Sequence, residues 1–240
     1  VALYTADFYE DTYGIPGPST ENYYNGPQVG GPVAALPFEA EIGEGTTTIG
    51  YIPFQCYYNY SISSQLYLAS ELEDAGANAT PMTSIAWNVN AVGNAIEQQG
   101  ISIWMANVSD TEVTTASPDV NSMTLVYSGN FVPAVGWYTF EFNEGSFAWD
   151  GQSNILVAVQ RNNGSYQSGL TWKAHSNSFT ACNYLYRDTA PYYLNNESYS
   201  MYTTTIRPDV RFVADGREYL VGADNVAIDG MTVKGEEGGA

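Results

Sequence analysis

Short apolar or alternating runs, cut by turn-forming clusters, recur along most of the chain. They fall at 46–54, 57–61, 64–69, 82–89, 101–108, 123–131, 137–142, 154–160, 170–174, 183–186 and 209–213. Side chains on a pleated strand point alternately to its two faces, so a two-residue period marks a strand with one face in a core. The alternation is cleanest in Trp137-Tyr-Thr-Phe-Glu-Phe142. There Tyr138, Phe140 and Phe142 form the inward set, and Trp137 falls at the mouth of the strand, partly covered. The stretch 155–159 is nearly all apolar, which predicts a strand covered on both faces. Asn162-Asn163-Gly164-Ser165 behind it is a hairpin-turn signal. Helix is scarce: 70–75 and 93–99 offer a turn or two each, and neither sustains a 3.6-residue period. Roughly ten strands at this spacing predict an all-β fold, a two-sheet antiparallel β-sandwich of jelly-roll-like type.

The pattern is framed by two zones of different composition. Residues 1–42 carry Ile15-Pro-Gly-Pro-Ser-Thr20, Asn25-Gly26-Pro27 and Gly30-Gly31-Pro32, punctuation that forbids helix and breaks strands. They read as an N-terminal extension that lends one strand, 2–9, to a neighbouring sheet, or as a linker from a preceding domain. Residues 43–213 are the sandwich. Residues 214–240 read as a C-terminal extension or linker, with strand-like runs at 218–221 and 226–233 ahead of a Gly-rich end. The opening residues lack a basic start and an apolar run, so no signal peptide is expected among them. No stretch approaches 18 consecutive apolar residues, so no transmembrane segment is expected.

Charge narrows the partners. Seven Lys and Arg stand against 26 Asp and Glu, a net charge of −19, and all seven basic residues lie beyond position 160. Binding to a nucleic-acid backbone or an anionic membrane needs basic residues, so neither partner is expected. A solvated acidic face is the plainer account of the carboxylates. Calcium is the sharper one, with Glu71/Glu73/Asp74 and Asp150-Gly151 plus Asn154 as the nearest clusters, although no D-x-[DN]-x-[DN]-G loop occurs. No cofactor is expected, and calcium stays open. One histidine and two cysteines are too few for a His-based zinc site or a zinc knuckle. The richness in Tyr, Thr, Ser, Asn and Gly, with little Lys, suits an exported β-protein, secreted or held at a cell surface.

Catalytic constellations are thin. No G-x-S-x-G is present, and the lone His175, in Trp172-Lys173-Ala174-His175-Ser176, reads as a strand-end residue in preference to a general base. No pair among the 26 acids stands out by spacing for glycosidase chemistry. An enzyme is not expected, and a glycan hydrolase is the second alternative. Glycan binding fits better, because sugar rings present apolar C–H faces that stack on aromatic planes. The ligand-binding candidates are Trp172 first, then Tyr192 and Tyr193 after Pro191, with Tyr184, Tyr186 and Trp149; Tyr57-Tyr58-Asn59-Tyr60 is a further tyrosine cluster. Tryptophan in a β-sandwich is more often core, which weighs against the Trp members. Cys56 and Cys182 are read either as one disulfide or as two buried free thiols, with a reactive nucleophile a distant third.

A series of motifs then appears in order. It starts with Gly43-Glu-Gly-Thr-Thr-Thr-Ile-Gly-Tyr-Ile-Pro53, Tyr57-Tyr-Asn-Tyr-Ser61 and Ser64-Gln-Leu-Tyr-Leu-Ala-Ser-Glu-Leu72. It continues with Met82-Thr-Ser-Ile-Ala-Trp87, Ile101-Ser-Ile-Trp104, Leu125-Val-Tyr-Ser-Gly129 and Gly136-Trp-Tyr-Thr-Phe-Glu-Phe142. It ends with Phe147-Ala-Trp-Asp-Gly151, Asn154-Ile-Leu-Val157 and Arg207-Pro-Asp-Val-Arg-Phe212. This series resembles a recurrent β-sandwich module of secreted and surface proteins in Bacteroidota, often carried beside adhesin, peptidase or polysaccharide-degrading domains. The resemblance covers about 43–213 and brings no catalytic motif. It implies structural roles, with Asp150 and Asn154 as turn anchors and Trp137 as a packing residue. Cys56, Cys182, Trp104 and Trp149 depart from its usual types, which raises the weight of a disulfide or a local pocket. The expectation is a non-catalytic extracellular module that binds polysaccharide or another glycan. The alternative is a structural or adhesive surface module that contacts other surface proteins or acts as a spacer.

Overall fold

The computed structural model describes residues 36–163 and 165–216, together with the backbone of 228–229 and 232–233. The strand expected at 2–9 and the run at 218–221 lie outside these residues. Within 226–233, β14 (Ile228–Asp229) pairs antiparallel with β15 (Thr232–Val233).

Two antiparallel sheets hold the other thirteen strands. In chain order these are β1 (Phe38–Ile42), β2 (Thr47–Ile49), β3 (Tyr60–Tyr67), β4 (Ser84–Ala91), β5 (Gln98–Val108), β6 (Thr124–Phe131) and β7 (Gly136–Glu141). They continue with β8 (Asn154–Asn162), β9 (Thr171–Ser176), β10 (Cys182–Arg187), β11 (Tyr202–Thr204), β12 (Ile206–Pro208) and β13 (Val210–Ala214). One short helix, α1 (Ala69–Asp74), follows β3. Eight strands make a frame: β1-β13-β4-β7 in the first sheet and β3-β8-β5-β6 in the second. Apart from the β5–β6 hairpin, each step along this frame crosses from one sheet to the other, and the first and last strands end side by side. That winding is a jelly roll.

The strands between β8 and β13 enlarge both sheets. β9 joins the first, with β2 on one side and β4 and β12 on the other. β10 and β11 extend the second beyond β3. Two local readings change. Residues 38–42 belong to the sandwich and not to the N-terminal extension, since Phe38-Glu-Ala-Glu-Ile42 alternates and pairs with β13 from Phe38↔Ala214 to Ile42↔Val210. The turn of helix expected at 70–75 is α1, whereas 93–97 is a loop and 98–99 already belong to β5. Gly93 has φ +55° there, and a Cβ on it would lie 2.5 Å from Gly169 Cα, so the backbones touch.

The core lies between the sheets. Ile85, Trp87, Phe140, Trp172 and Phe212 of the first sheet are buried with Tyr67, Ile103, Val126 and Val157 of the second. Phe140 faces inward and Trp137 is partly covered, as the alternation predicts. The indoles of Trp87 and Trp172 carry a polar N–H into this core, and both find partners. Trp87 Nε1 donates across the interface to Gln65 Oε1 at 3.1 Å, and Trp172 Nε1 donates to the Phe54 carbonyl at 3.1 Å. A second, smaller core covers the opposite face of the second sheet, where Ile62 and Ala158 pack beneath Val120, Tyr192, Leu194 and Met201. This cover is why β8 is apolar on both faces.

Replacing the fully buried indole in Trp172→Ala leaves a cavity and one unpaired carbonyl. The expected cost is about 3–5 kcal/mol in urea unfolding, larger than for Trp137→Ala, whose ring is only partly covered.

Candidate functional site

Two assemblies of polar and aromatic side chains stand apart from the ordinary core. The first sits where the strand 206–214 changes partner. β12 lies against β9, with Arg207 opposite His175, and after Asp209 the chain continues as β13 between β4 and β1. The Arg207 side chain is wholly buried and reaches across to the second sheet. Nη1 donates to the Leu66 carbonyl and to Glu71 Oε2, and Nη2 donates to Glu71 Oε1. The guanidinium also lies 4.4 Å from the Tyr67 ring centroid.

His175 completes this cluster. Its Nε2 is 3.1 Å from Arg207 Nη2 and its Nδ1 is 2.8 Å from Asp209 Oδ1. A guanidinium only donates, so Nε2 must accept, which leaves the ring proton on Nδ1 to be donated to Asp209. Both nitrogens are thereby used. A general base needs a free lone pair facing substrate, and this imidazole has none. His175 is indeed a strand-end residue, but its side chain is only 14% exposed. Gly43 seals the pair: with φ +113°, a Cβ there would fall 2.2 Å from Asp209 Oδ1 and 2.3 Å from His175 Nδ1. An open cleft of about 580 Å³ lies beside the cluster, lined by Glu44, Glu71, His175, Ser176, Asn177 and Phe179 among others.

Of the residues considered for calcium, Glu71, Asp150 and Asn154 make contacts within the fold, whereas Glu73 and Asp74 are exposed. Glu71 Oε2 also accepts from the Leu68 backbone N–H at 2.8 Å. The Asp150 carboxylate accepts from the backbone of Gln152 and Ser153 and from the Ser153 hydroxyl, closing its own turn. Asn154 Oδ1 accepts from the Ala69 N–H at 2.7 Å. Among the described residues, no group of three His, Cys, Asp or Glu side chains is placed to hold a metal ion.

The second assembly is a run of seven tyrosines. Tyr166 meets Tyr57 at 5.0 Å between ring centroids, Tyr57 meets Tyr58 at 5.4 Å, and Tyr58 stacks on Tyr186 at 4.4 Å and 24°. Tyr186 lies nearly parallel to Tyr184 at 6.1 Å and 20°, and Tyr184 meets Tyr51 at 4.2 Å and Tyr202 at 5.6 Å. Tyr184 and Tyr186 share the inward phase of buried Cys182, yet remain partly exposed on the extension beyond β3. β11 sets Tyr202 directly opposite Tyr184. Tyr57, Tyr166 and Tyr202 are 55%, 58% and 60% exposed.

A polar frame, with Gln55 and Arg161 buried, holds the loops that carry Tyr57, Tyr58 and Tyr166. Gln55 Oε1 accepts from the N–H groups of Tyr57 and Tyr58 at 3.1 and 3.2 Å. Arg161, wholly buried, donates through Nη1 to the carbonyls of Tyr58 and Asn59 at 2.8 and 3.1 Å. It also donates through Nη2 to the Ser165 carbonyl at 3.0 Å and through Nε to Gln98 Oε1 at 2.7 Å. Its partners are thus neutral oxygens, and burial pushes its pKa down to about 10, which still leaves it charged at neutral pH. Asp188 Oδ1 accepts from the Asn59 N–H at 3.0 Å.

The sequence-derived candidates divide. Tyr184 and Tyr186 lie in the middle of the strip. Trp172 and Trp149 do not supply exposed planes: they are 0% and 2% exposed and belong to the main core, because each falls in the inward phase of its segment. Tyr192 is likewise buried in the second core, with the Arg187 guanidinium 4.1 Å from its ring centroid. Tyr193 is half-exposed, on the loop over the opposite face of the second sheet. Cys56 and Cys182 are free, buried thiols and form no disulfide. Burial pushes both thiol pKa values up, against a nucleophilic role. Tyr51, Tyr166 and Tyr202 were not among the candidates; the sequence shows them as isolated tyrosines, and only the β10–β11 pairing and the loop packing bring them together.

Compared with known proteins, the chain matches no family model and no curated protein.

Burial acts to raise the pKa of Glu71, but the hydrogen bonds and charge of Arg207 outweigh it and hold the carboxyl below its ordinary value of 4.5. A carboxyl depressed in the folded state contributes stability above its unfolded pKa and loses it as pH falls through the folded value. Stability measured against pH is therefore expected to drop below about pH 4.5. Glu71→Gln is expected to lose about 3 kcal/mol at neutral pH, by leaving Arg207 underpaired, and to show a flatter acid limb.

Proposed function

We propose that the protein is a non-catalytic, extracellular module that binds polysaccharide, and that the tyrosine strip is its contact surface. The observation that carries this reading is the continuity of the strip: seven partly exposed rings in unbroken contact, carried by β10, β11 and loops that buried Gln55 and Arg161 hold in place. A pyranose ring offers a face of C–H groups to an aromatic plane, and the phenolic hydroxyls beside it pair with the sugar's own hydroxyls. Covering each ring's apolar face removes it from water, worth roughly 25 cal/mol for each Å² buried. The frame of Gln55, Arg161 and Asp188 orders the loops beforehand, so little ordering cost falls on binding. The use of both His175 nitrogens within the fold supports a binding role over a hydrolytic one. The Tyr-rich, Lys-poor composition supports secretion or display at a cell surface.

A second reading, a surface module that contacts other proteins, draws on Ile96, Val132 and Val135. These apolar side chains are 68%, 59% and 68% exposed, on loops joined by the Gln98↔Phe131 pairing.

Affinity electrophoresis against plant and host polysaccharides tests the first reading. Retardation by at least one polymer is expected, and Tyr184→Ala or Tyr186→Ala is expected to weaken it about tenfold each. No retardation by any polysaccharide at millimolar sensitivity, or full retention by both variants, would count decisively against it.

A further inference from the structure

On the reading that the tyrosine strip binds glycan, we infer that its ligand is a neutral polysaccharide held along the interior of the chain, and not a uronate-bearing or sulfated polymer or a chain end. Charge is the first ground. Carboxylate and sulfate groups on a glycan call for Arg or Lys. Among the described residues every guanidinium is engaged within the protein. Arg161 is buried among neutral oxygens beneath the strip. Arg187 donates to the carbonyls of Ala190 and Pro191. Arg207 is held by Glu71, and Arg211 lies against Glu39 and Glu41. Lys173 is on β9, in the other sheet.

The charge that does border the strip is negative. Asp188 is exposed and bound to Asn59, the residue after Tyr58. Burial, and then the neighbouring phenols, push the hydroxyl pKa values of Tyr184 and Tyr186 up, so these rings stay uncharged at physiological pH. Over a longer range, the net charge of −19 repels a polyanion before contact.

Shape is the second ground. A chain end is recognised by a walled pit that closes around the terminal unit. Here six rings follow one another from Tyr166 through Tyr57, Tyr58, Tyr186 and Tyr184 to Tyr202 at centroid steps of 4.4–6.1 Å, with Tyr51 branching off at Tyr184, and both extremes, Tyr166 and Tyr202, are exposed. A polymer can enter at one end of such a strip and leave at the other. Several sugar units stack at once, so affinity should grow with chain length until the strip is filled.

Calorimetry on the full chain tests this with neutral β-linked gluco-, manno- and xylo-oligosaccharides from disaccharide to hexasaccharide, and with polygalacturonate and heparin as charged probes. The expected result is binding of a neutral series, with affinity rising at least tenfold from disaccharide to hexasaccharide. That affinity should change less than about twofold from 0.01 M to 1 M salt, a range over which the screening length shrinks roughly tenfold. Tyr202→Ala, which removes an exposed ring and leaves the fold intact, should lower hexasaccharide affinity and leave disaccharide affinity less affected. Binding of polygalacturonate or heparin that salt weakens and Tyr184→Ala abolishes would overturn the inference while leaving the strip a glycan site. So would a disaccharide that binds as tightly as the hexasaccharide. Failure of every probe to bind, or binding indifferent to Tyr184→Ala and Tyr202→Ala alike, would instead overturn the glycan reading itself.

Discussion

Arg207 sets a full positive charge in the space between the two sheets, and the architecture around it follows from the need to satisfy that charge. A buried cation is tolerable only where acceptors surround it. Here they arrive from separate parts of the chain: the Leu66 carbonyl at the end of β3, both oxygens of Glu71 on α1, and Nε2 of His175 on β9. Asp209 then orients the imidazole, and Gly43 approaches the pair more closely than any side chain would allow. The motif residues Gly43, Glu71, Arg207 and Asp209, scattered along the sequence, thus converge on one point. Their chemistry is used to close the sandwich, which is why a histidine–aspartate pair beside a cleft carries no free catalytic nitrogen.

The second buried arginine solves a different problem. Arg161 is surrounded by oxygens that bear only partial charge, and three of the four are backbone carbonyls of the loops flanking the tyrosine strip. Its desolvation is offset only while those loops are in place. Loop order and charge satisfaction are therefore coupled: opening 55–59 or 165 would strip the guanidinium of acceptors in a low-dielectric setting. This coupling holds the rings of Tyr57, Tyr58 and Tyr166 in one arrangement, although the loops that carry them lie at the surface.

Much of the sandwich was legible in the alternation because each strand of the frame has one face in a core. The inward phase of Phe140 and the double cover of 155–159 follow directly from that. The strand 38–42 was missed because its two glutamates sit next to Pro- and Gly-rich sequence, and its pairing with β13 is a contact between opposite ends of the fold. The Trp172 error is instructive in another way. Trp172 stands beside the polar Lys173 and close to His175, yet it shares its phase with Ala174, and both are buried. Alternation was the better guide there than neighbouring charge. The state of Cys56 and Cys182, and the meeting of Tyr51, Tyr166 and Tyr202 with the β10 pair, depend on contacts between distant segments that no local pattern encodes.

The position of the strip within the fold explains its composition. β10 and β11 carry the second sheet past the eight-strand frame, so the inward phase that is buried at Cys182 becomes partly exposed at Tyr184 and Tyr186. A side chain there must pack like a core residue along most of its length and still end in water. Leucine or valine would leave an apolar patch, and a charged residue would forfeit the packing. Tyrosine meets both demands, with a flat apolar body and a hydrogen-bonding tip. The same compromise shapes what can settle on it. A layer that is apolar on its face and polar at its rim complements this surface where the facing protein layer gives out, and a sugar chain has that character along its whole length.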